Sequence, residues 1–208
     1  MTQSKTLRRW ELALLLGVAL AALLGVWLDG AQAALSDRVI RLHVLANSDS
    51  EADQALKLRV RDRILAEAEE LFVPGAGRAE TEELLRAHLY DLAAAGAEVV
   101  GEAGYSYPVT ASLVHDYWFP TKTYTDFALP AGAYTALRIE IGAGGGQNWW
   151  CVVFPPLCTA AAEDVPEAAQ AAGLSAEQVQ LITEENGAYK LKFKAVELWE
   201  RLGSLWDQ

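Results

Sequence analysis

Residues 142–158 read GAGGGQNWWCVVFPPLC, and the interpretation of this stretch decides the fold. Glycines supply the positive φ angles of a chain reversal, and the aromatic and β-branched residues that follow favour an extended strand. Side chains of a strand alternate between faces, so Trp149, Cys151 and Val153 share one face and Trp150, Val152 and Phe154 the other. Both faces are apolar, which predicts a central strand, ended by Pro155 and Pro156. Immediately before the glycines, residues 133–141 alternate with Leu137, Ile139 and Ile141 toward a core and Arg138 and Glu140 toward water. The glycine run is therefore expected to close a β-hairpin between the two strands.

Working outward, residues 39–46 (VIRLHVLA) alternate as a half-buried strand, with Ile40, Leu42 and Val44 inward and Arg41 and His43 outward. Asn47-Ser48-Asp49-Ser50 ends it and offers helix caps, Ser48 with Glu51 or Ser50 with Asp53. A long helix follows on the stripe Leu56, Val60, Ile64, Ala68 and Leu71, and residues 74–77 (PGAG) stop it. A second helix is expected over residues 80–95, then strands over 97–101 and 109–117. Beyond the cysteines lie an alanine-rich acidic stretch, a short helix over 174–182 capped by Ser175, a strand over 189–193 and a closing helix over 195–206. The predicted class is α+β: a single small domain, its mainly antiparallel sheet packed by helices, after an N-terminal signal sequence.

The 208 residues carry a net charge of −11; residues 1–33 contribute +1 (Lys5, Arg8 and Arg9 against Glu11 and Asp29), which leaves −12 for the rest. A domain that acidic repels nucleic-acid phosphates and anionic lipid heads, so no nucleic-acid partner is expected, and membrane contact only through the N-terminal segment. That segment has a basic flank, the uncharged apolar run 12–28 and the small-x-small motif Ala31-Gln32-Ala33. It reads as a signal peptide cut after Ala33, or as an uncleaved anchor, and either delivers residues 35–208 outside the cytoplasm.

Motifs for chemistry fail on inspection. The glycine run lacks the Gly-Lys-Ser/Thr ending of a phosphate loop and leads into a strand, so no helix dipole faces a phosphate. Asn47, Asp49, Glu51 and Asp53 resemble the start of a calcium loop, but Ala52 and Leu58 stand where its glycine and closing acid belong. Three histidines (His43, His88, His115) and two cysteines match no zinc pattern, and no nucleophile with base and orienting group can be named. No catalytic, cofactor-binding or metal residue is assigned.

Cys151 and Cys158 close a short loop and are expected to be bridged in an exported protein, the alternative being two buried thiols. Tyr117, Trp118, Phe119, Pro120, Lys122 and Tyr124 form an aromatic-rich stretch that either lines the core or anchors a protein partner. Trp149 or Trp150 is a possible extension of such a surface. The corner at His43, Asn47 and Asp49, with more polar residues than capping requires, is a second candidate.

Three segments resemble one family: IRLHVLANSDSEADQALKLRVRD (40–62), FPTKTYTDFALPAGAYTALRIEIG (119–142) and GQNWWCVVFPPLC (146–158). Together they are similar to the stage II sporulation protein R family of endospore formers. The resemblance implies a signalling protein rather than an enzyme. It would be exported from the forespore into the intermembrane space, where it triggers a membrane-embedded aspartic protease of the mother cell. That protease then processes the precursor of sporulation sigma factor E. The competing class is an extracytoplasmic peptidoglycan-binding or hydrolytic protein, whose tryptophans would serve as stacking platforms.

Overall fold

β1 (Ile40–Leu45) runs through the middle of the molecule, and every one of its residues is buried. The computed structural model describes residues 3–73, 75–158 and 165–183, apart from the side chains of residues 3–9, 21, 22, 24–29 and 31. The further elements are α1 (Gln3–Ser36), α2 (Glu51–Glu70), α3 (Arg78–Ala87), α4 (Leu89–Glu102), β2 (Val109–Phe119), β3 (Lys122–Thr123), β4 (Ala128–Leu129), β5 (Gly132–Ile141), β6 (Asn148–Phe154), α5 (Val165–Ala171) and α6 (Ala176–Thr183). The main sheet has the order β2-β5-β1-β6, with β1 parallel to β5 and the other pairings antiparallel. This is the predicted α+β class with a mainly antiparallel sheet.

The topology corrects the hairpin. β5 and β6 are not neighbours, because β1 lies between them. The glycine loop instead carries the chain over the end of β1, where Gly146 N–H donates to Ala46 O (3.0 Å) and Gly145 N–H to Asn47 O (3.3 Å). Among the described residues β6 is therefore an edge strand rather than a central one, although both its faces are covered. On the face toward α2 and α4, Cys151, Val153 and Phe154 join Ile40, Leu42, Leu137, Ile139, Val60 and Ile64. Phe154 reaches this face because the β1–β6 register shifts between Ile40 and Arg41. On the other face Val152 packs with Leu35, Val39, Phe119, Leu129, Tyr134, Val165, Val179 and Ile182. That second layer, built by the end of α1, the β3–β4 pair, α5 and α6, is why Arg41 (0% exposed) and His43 (1%) are buried and not outward as alternation alone suggests.

The expected strand over 97–101 is the last turn of α4. Val99 and Val100 continue the stripe of Leu92, Ala95 and Gly96, and all five are buried. Packing against Val60 and Ile64 through the bare backbone of Gly96 overrides their β preference. The expected helix over 80–95 is divided at His88 into α3 and α4. α2 is capped as expected by Ser50, whose Oγ accepts from Asp53 N–H (3.1 Å). α6 is capped by Ser175, whose Oγ accepts from Gln178 N–H (3.2 Å). The expected strand over 189–193 and helix over 195–206 lie outside the described residues.

The expected signal boundary at residue 33 falls within α1, and much of the apolar run 12–28 consists of side chains outside the description. Among the described residues no helix is long and apolar enough to cross a membrane.

Cys151 and Cys158 are bridged, with Cα atoms 6.3 Å apart across a separation of 7 residues. Closing so short a loop removes about 2–3 kcal/mol of denatured-state entropy on the chain-entropy model. Reductant should lower the unfolding free energy from denaturant titration by that amount, and a C151A/C158A protein should become insensitive to it.

Candidate functional site

The polar corner between β1 and α2 forms a clasp around the glycine loop. Asn47 Nδ2 donates to Asp53 Oδ2 (2.9 Å) while its Oδ1 accepts from Ala143 N–H (3.0 Å). Ser48 Oγ donates to the same Asp53 oxygen (2.6 Å), and Asp49 Oδ1 accepts from Gln147 N–H (2.7 Å). Lys57, 4% exposed, donates to Gln54 Oε1 (2.6 Å) and to Gln147 O (2.9 Å). The Ser48 hydroxyl and Asn47 amide hold the Asp53 carboxyl below its usual range, and burial pushes the Lys57 ammonium down. The surplus of polar groups thus has a structural destination, the backbone of the loop. Asn47 and Asp49, suggested by sequence as partner contacts, hold the loop backbone here, and Asp49 remains exposed.

A second cluster lies on the sheet face opposite α2. Arg41 projects beneath a roof of rings, its guanidinium carbon 4.2 Å from the Phe119 centroid and 5.0 Å from that of Tyr134. Nη2 donates to Tyr124 Oη (3.2 Å), whose own hydroxyl proton goes to Trp150 O (3.1 Å). Arg41 Nε and Nη1 are buried without a hydrogen-bond partner among the described residues. Two residues along β1, His43 stacks on Trp150 (centroids 4.0 Å apart, planes 17° apart) and lies 5.1 Å from the Tyr117 ring. Its Nε2 donates to Asn148 Oδ1 (2.8 Å). Trp150 and Tyr117 are half-buried, so this aromatic face is closed at Phe119 and open at Tyr117.

A bulge produces the arrangement. The β2–β5 register shifts between Val114 and Tyr117, where Asp116 takes a left-handed conformation at φ 52°. The shift turns Tyr117 and Phe119 onto the Arg41 face and leaves Trp118 outward, 54% exposed. The predicted aromatic stretch therefore divides: Phe119 is core at 0% exposure, Trp118 and Lys122 are exposed, and Pro120 and Tyr124 are partly covered. Trp149 lies on the α2 side, its ring 4.4 Å from the Arg61 guanidinium. Arg41, Tyr134 and Asn148 escaped the sequence reading. Only Asp116, a residue type tolerant of positive φ, hinted at the bulge.

Burial lowers the His43 pKa from 6.5, and the Asn148 bond opposes this only in part. Below pH 6.5 the unfolded chain takes up a proton that the folded state refuses, so this contribution to stability is full above 6.5 and falls as pH drops toward the lower folded value. A His43→Gln protein should show a flatter stability profile through that window in parallel urea titrations.

Among the described residues no histidine meets a thiol: His88 Nδ1 bonds Leu84 O and both cysteines are in the bridge. His115 lies between the buried Thr135 hydroxyl (3.2 Å from Nδ1), which also accepts from Arg78, and the Glu82 carboxylate (3.4 Å from Nε2). Among the described residues no three His, Cys, Asp or Glu converge as a metal would require.

The family model described as stage II sporulation protein R matches residues 36–164, more than half of the chain. The chain belongs to that family. It is 38% identical over 124 residues to the stage II sporulation protein R of Bacillus subtilis (strain 168). The aligned region covers 60% of this chain and 55% of that protein, so the chain matches about half the length of this curated relative. No solved structure matches. The family match includes both the clasp and the aromatic face and places the chain in sporulation. It ends at residue 164, before α5.

Proposed function

We propose that this stage II sporulation protein R family member is an exported signal of the forespore. It acts in the intermembrane space by binding a membrane-embedded aspartic protease of the mother cell and favouring its active arrangement, so that the sigma factor E precursor is processed. Family membership carries the reading. The structure adds support: both cysteines are bridged rather than free, and Trp118, one of the exposed large apolar side chains of the family-matched region, is held outward beside the aromatic face. A ligand switches a protease only through differential affinity for its active state, so a rigid surface that fits one arrangement is sufficient.

The test is reconstitution: express this chain beside the protease and the sigma precursor, and follow cleavage. Trp118→Ala removes an exposed side chain, so stability should change by only about 0.5 kcal/mol. Precursor cleavage should fall at least tenfold, as expected for loss of a tryptophan hot spot. Undiminished cleavage by the folded variant would remove Trp118 from the contact. Cleavage without this chain would overturn the functional reading.

A further inference from the structure

We propose that the free edge of β2 is a docking site for an extended segment of a partner polypeptide, added to the sheet as a fifth strand. Among the described residues β2 ends the sheet order and has no strand on its outer side. The phase of its ladder is set by Gly142 N–H, which donates to Pro108 O (2.8 Å). Counting along the antiparallel register from that pair, Thr110, Ser112 and Val114 bond inward to β5, and the N–H and C=O groups of Val109, Ala111 and Leu113 point outward. This outward row has no backbone partner among the described residues.

Protective devices are missing where they would be expected. Edge strands are ordinarily blunted by charge, proline or an early bulge. Residues 109–114 read VTASLV, without charge or proline, and the bulge comes only after Val114. The core is also unfinished there. Val109, Ala111 and Leu113 are only half-buried, while Ile141, Ile139 and Leu137 opposite them are 1%, 0% and 0% exposed.

These features specify the occupant. Its backbone must be extended, with apolar side chains at alternate positions extending the row of Val109, Ala111 and Leu113 on the helix-covered face. Polar side chains would fall beside Thr110 and Ser112 on the other face. The net charge of −11 selects a neutral or basic segment and opposes a second copy of this chain. The inference deepens the proposed function by naming the form of the partner's contact, and rests on the reading that this chain acts by binding a protein.

The experiment uses the full chain in detergent. In hydrogen exchange, the amides of Val109, Ala111 and Leu113 should exchange at nearly unprotected rates, and slow exchange would show the edge already covered and overturn the proposal. An acetylated, amidated octapeptide of alternating valine and lysine is the binding probe. It should protect those amides and bind Ala111→Pro at least tenfold more weakly, because proline deletes an outward N–H that β5 does not use. Should Ala111→Pro fold poorly by thermal melting, Leu113→Pro poses the same question. No binding to the natural chain, or equal binding to a folded variant, overturns the proposal. A concentration-dependent dimer lost in the variant would make the occupant a second copy and overturn it as well. Loss of precursor cleavage in Ala111→Pro, with the natural chain active, extends the result to the protease. A natural chain inactive in that assay defeats the functional reading alone, since the peptide measurement stands by itself.

Discussion

Gly146→Ala should be among the most damaging single substitutions in this protein, lowering stability by about 3 kcal/mol through overpacking against backbone. A Cβ at Gly146 would overlap the Ser48 carbonyl and meet Ala46 Cβ at 3.0 Å. The loop cannot retreat, because Gly146 N–H is bonded to Ala46 O and Gln147 N–H to Asp49 Oδ1. For a domain of this size the melting temperature should fall by about 6–12 °C. Gly142→Ala attacks the same clasp differently, forcing a side chain into φ 59° and into the Asn47 amide. Gly145→Ala is the control, since its Cβ would make only an ordinary 3.5 Å contact with Asn47 O. Equal melting temperatures for the Gly145 and Gly146 variants would refute the clasp as a stability element.

Phe119→Ala should cost about 3–5 kcal/mol, the range for deleting a fully buried aromatic ring. Phe119 is 0% exposed and meets Tyr134, Trp150, Tyr117 and the Arg41 guanidinium. Its loss opens a cavity beside a buried cation that already has two nitrogens unpartnered among the described residues. Urea unfolding of the variant against the natural chain measures this directly. A loss under 1 kcal/mol would mean the ring is not core. The neighbouring Trp118→Ala should show the reverse pattern, near-natural stability with impaired signalling, so the two must be replaced separately.

Family, fold class and most helices were legible in the sequence because they depend on local features. Ser50 and Ser175 announce their caps, and the stripe from Leu56 to Leu71 announces α2. The paired cysteines, seven residues apart in a chain that the sequence reads as exported, suggested the bridge that the structure contains. The candidate site was legible only as a list of residue types. The stretch from Tyr117 to Tyr124 was visible, but its division into core Phe119 and outward Trp118 depends on a bulge at Asp116 that strand alternation cannot foresee.

The glycine run shows where the boundary falls. By itself the sequence determined that residues 142–147 turn the chain between two strands, since glycine's freedom is a local property. Only the tertiary structure decided that β1 enters between those strands, because pairing partners are chosen by burial across long sequence distances. That choice converts a hairpin into a clasp and gives the polar residues from Asn47 to Asp53 their task. It also makes β6 an edge among the described residues despite its two apolar faces. By the same pairing β2 closes the opposite side of the sheet, its outer row of backbone groups without a backbone partner among the described residues.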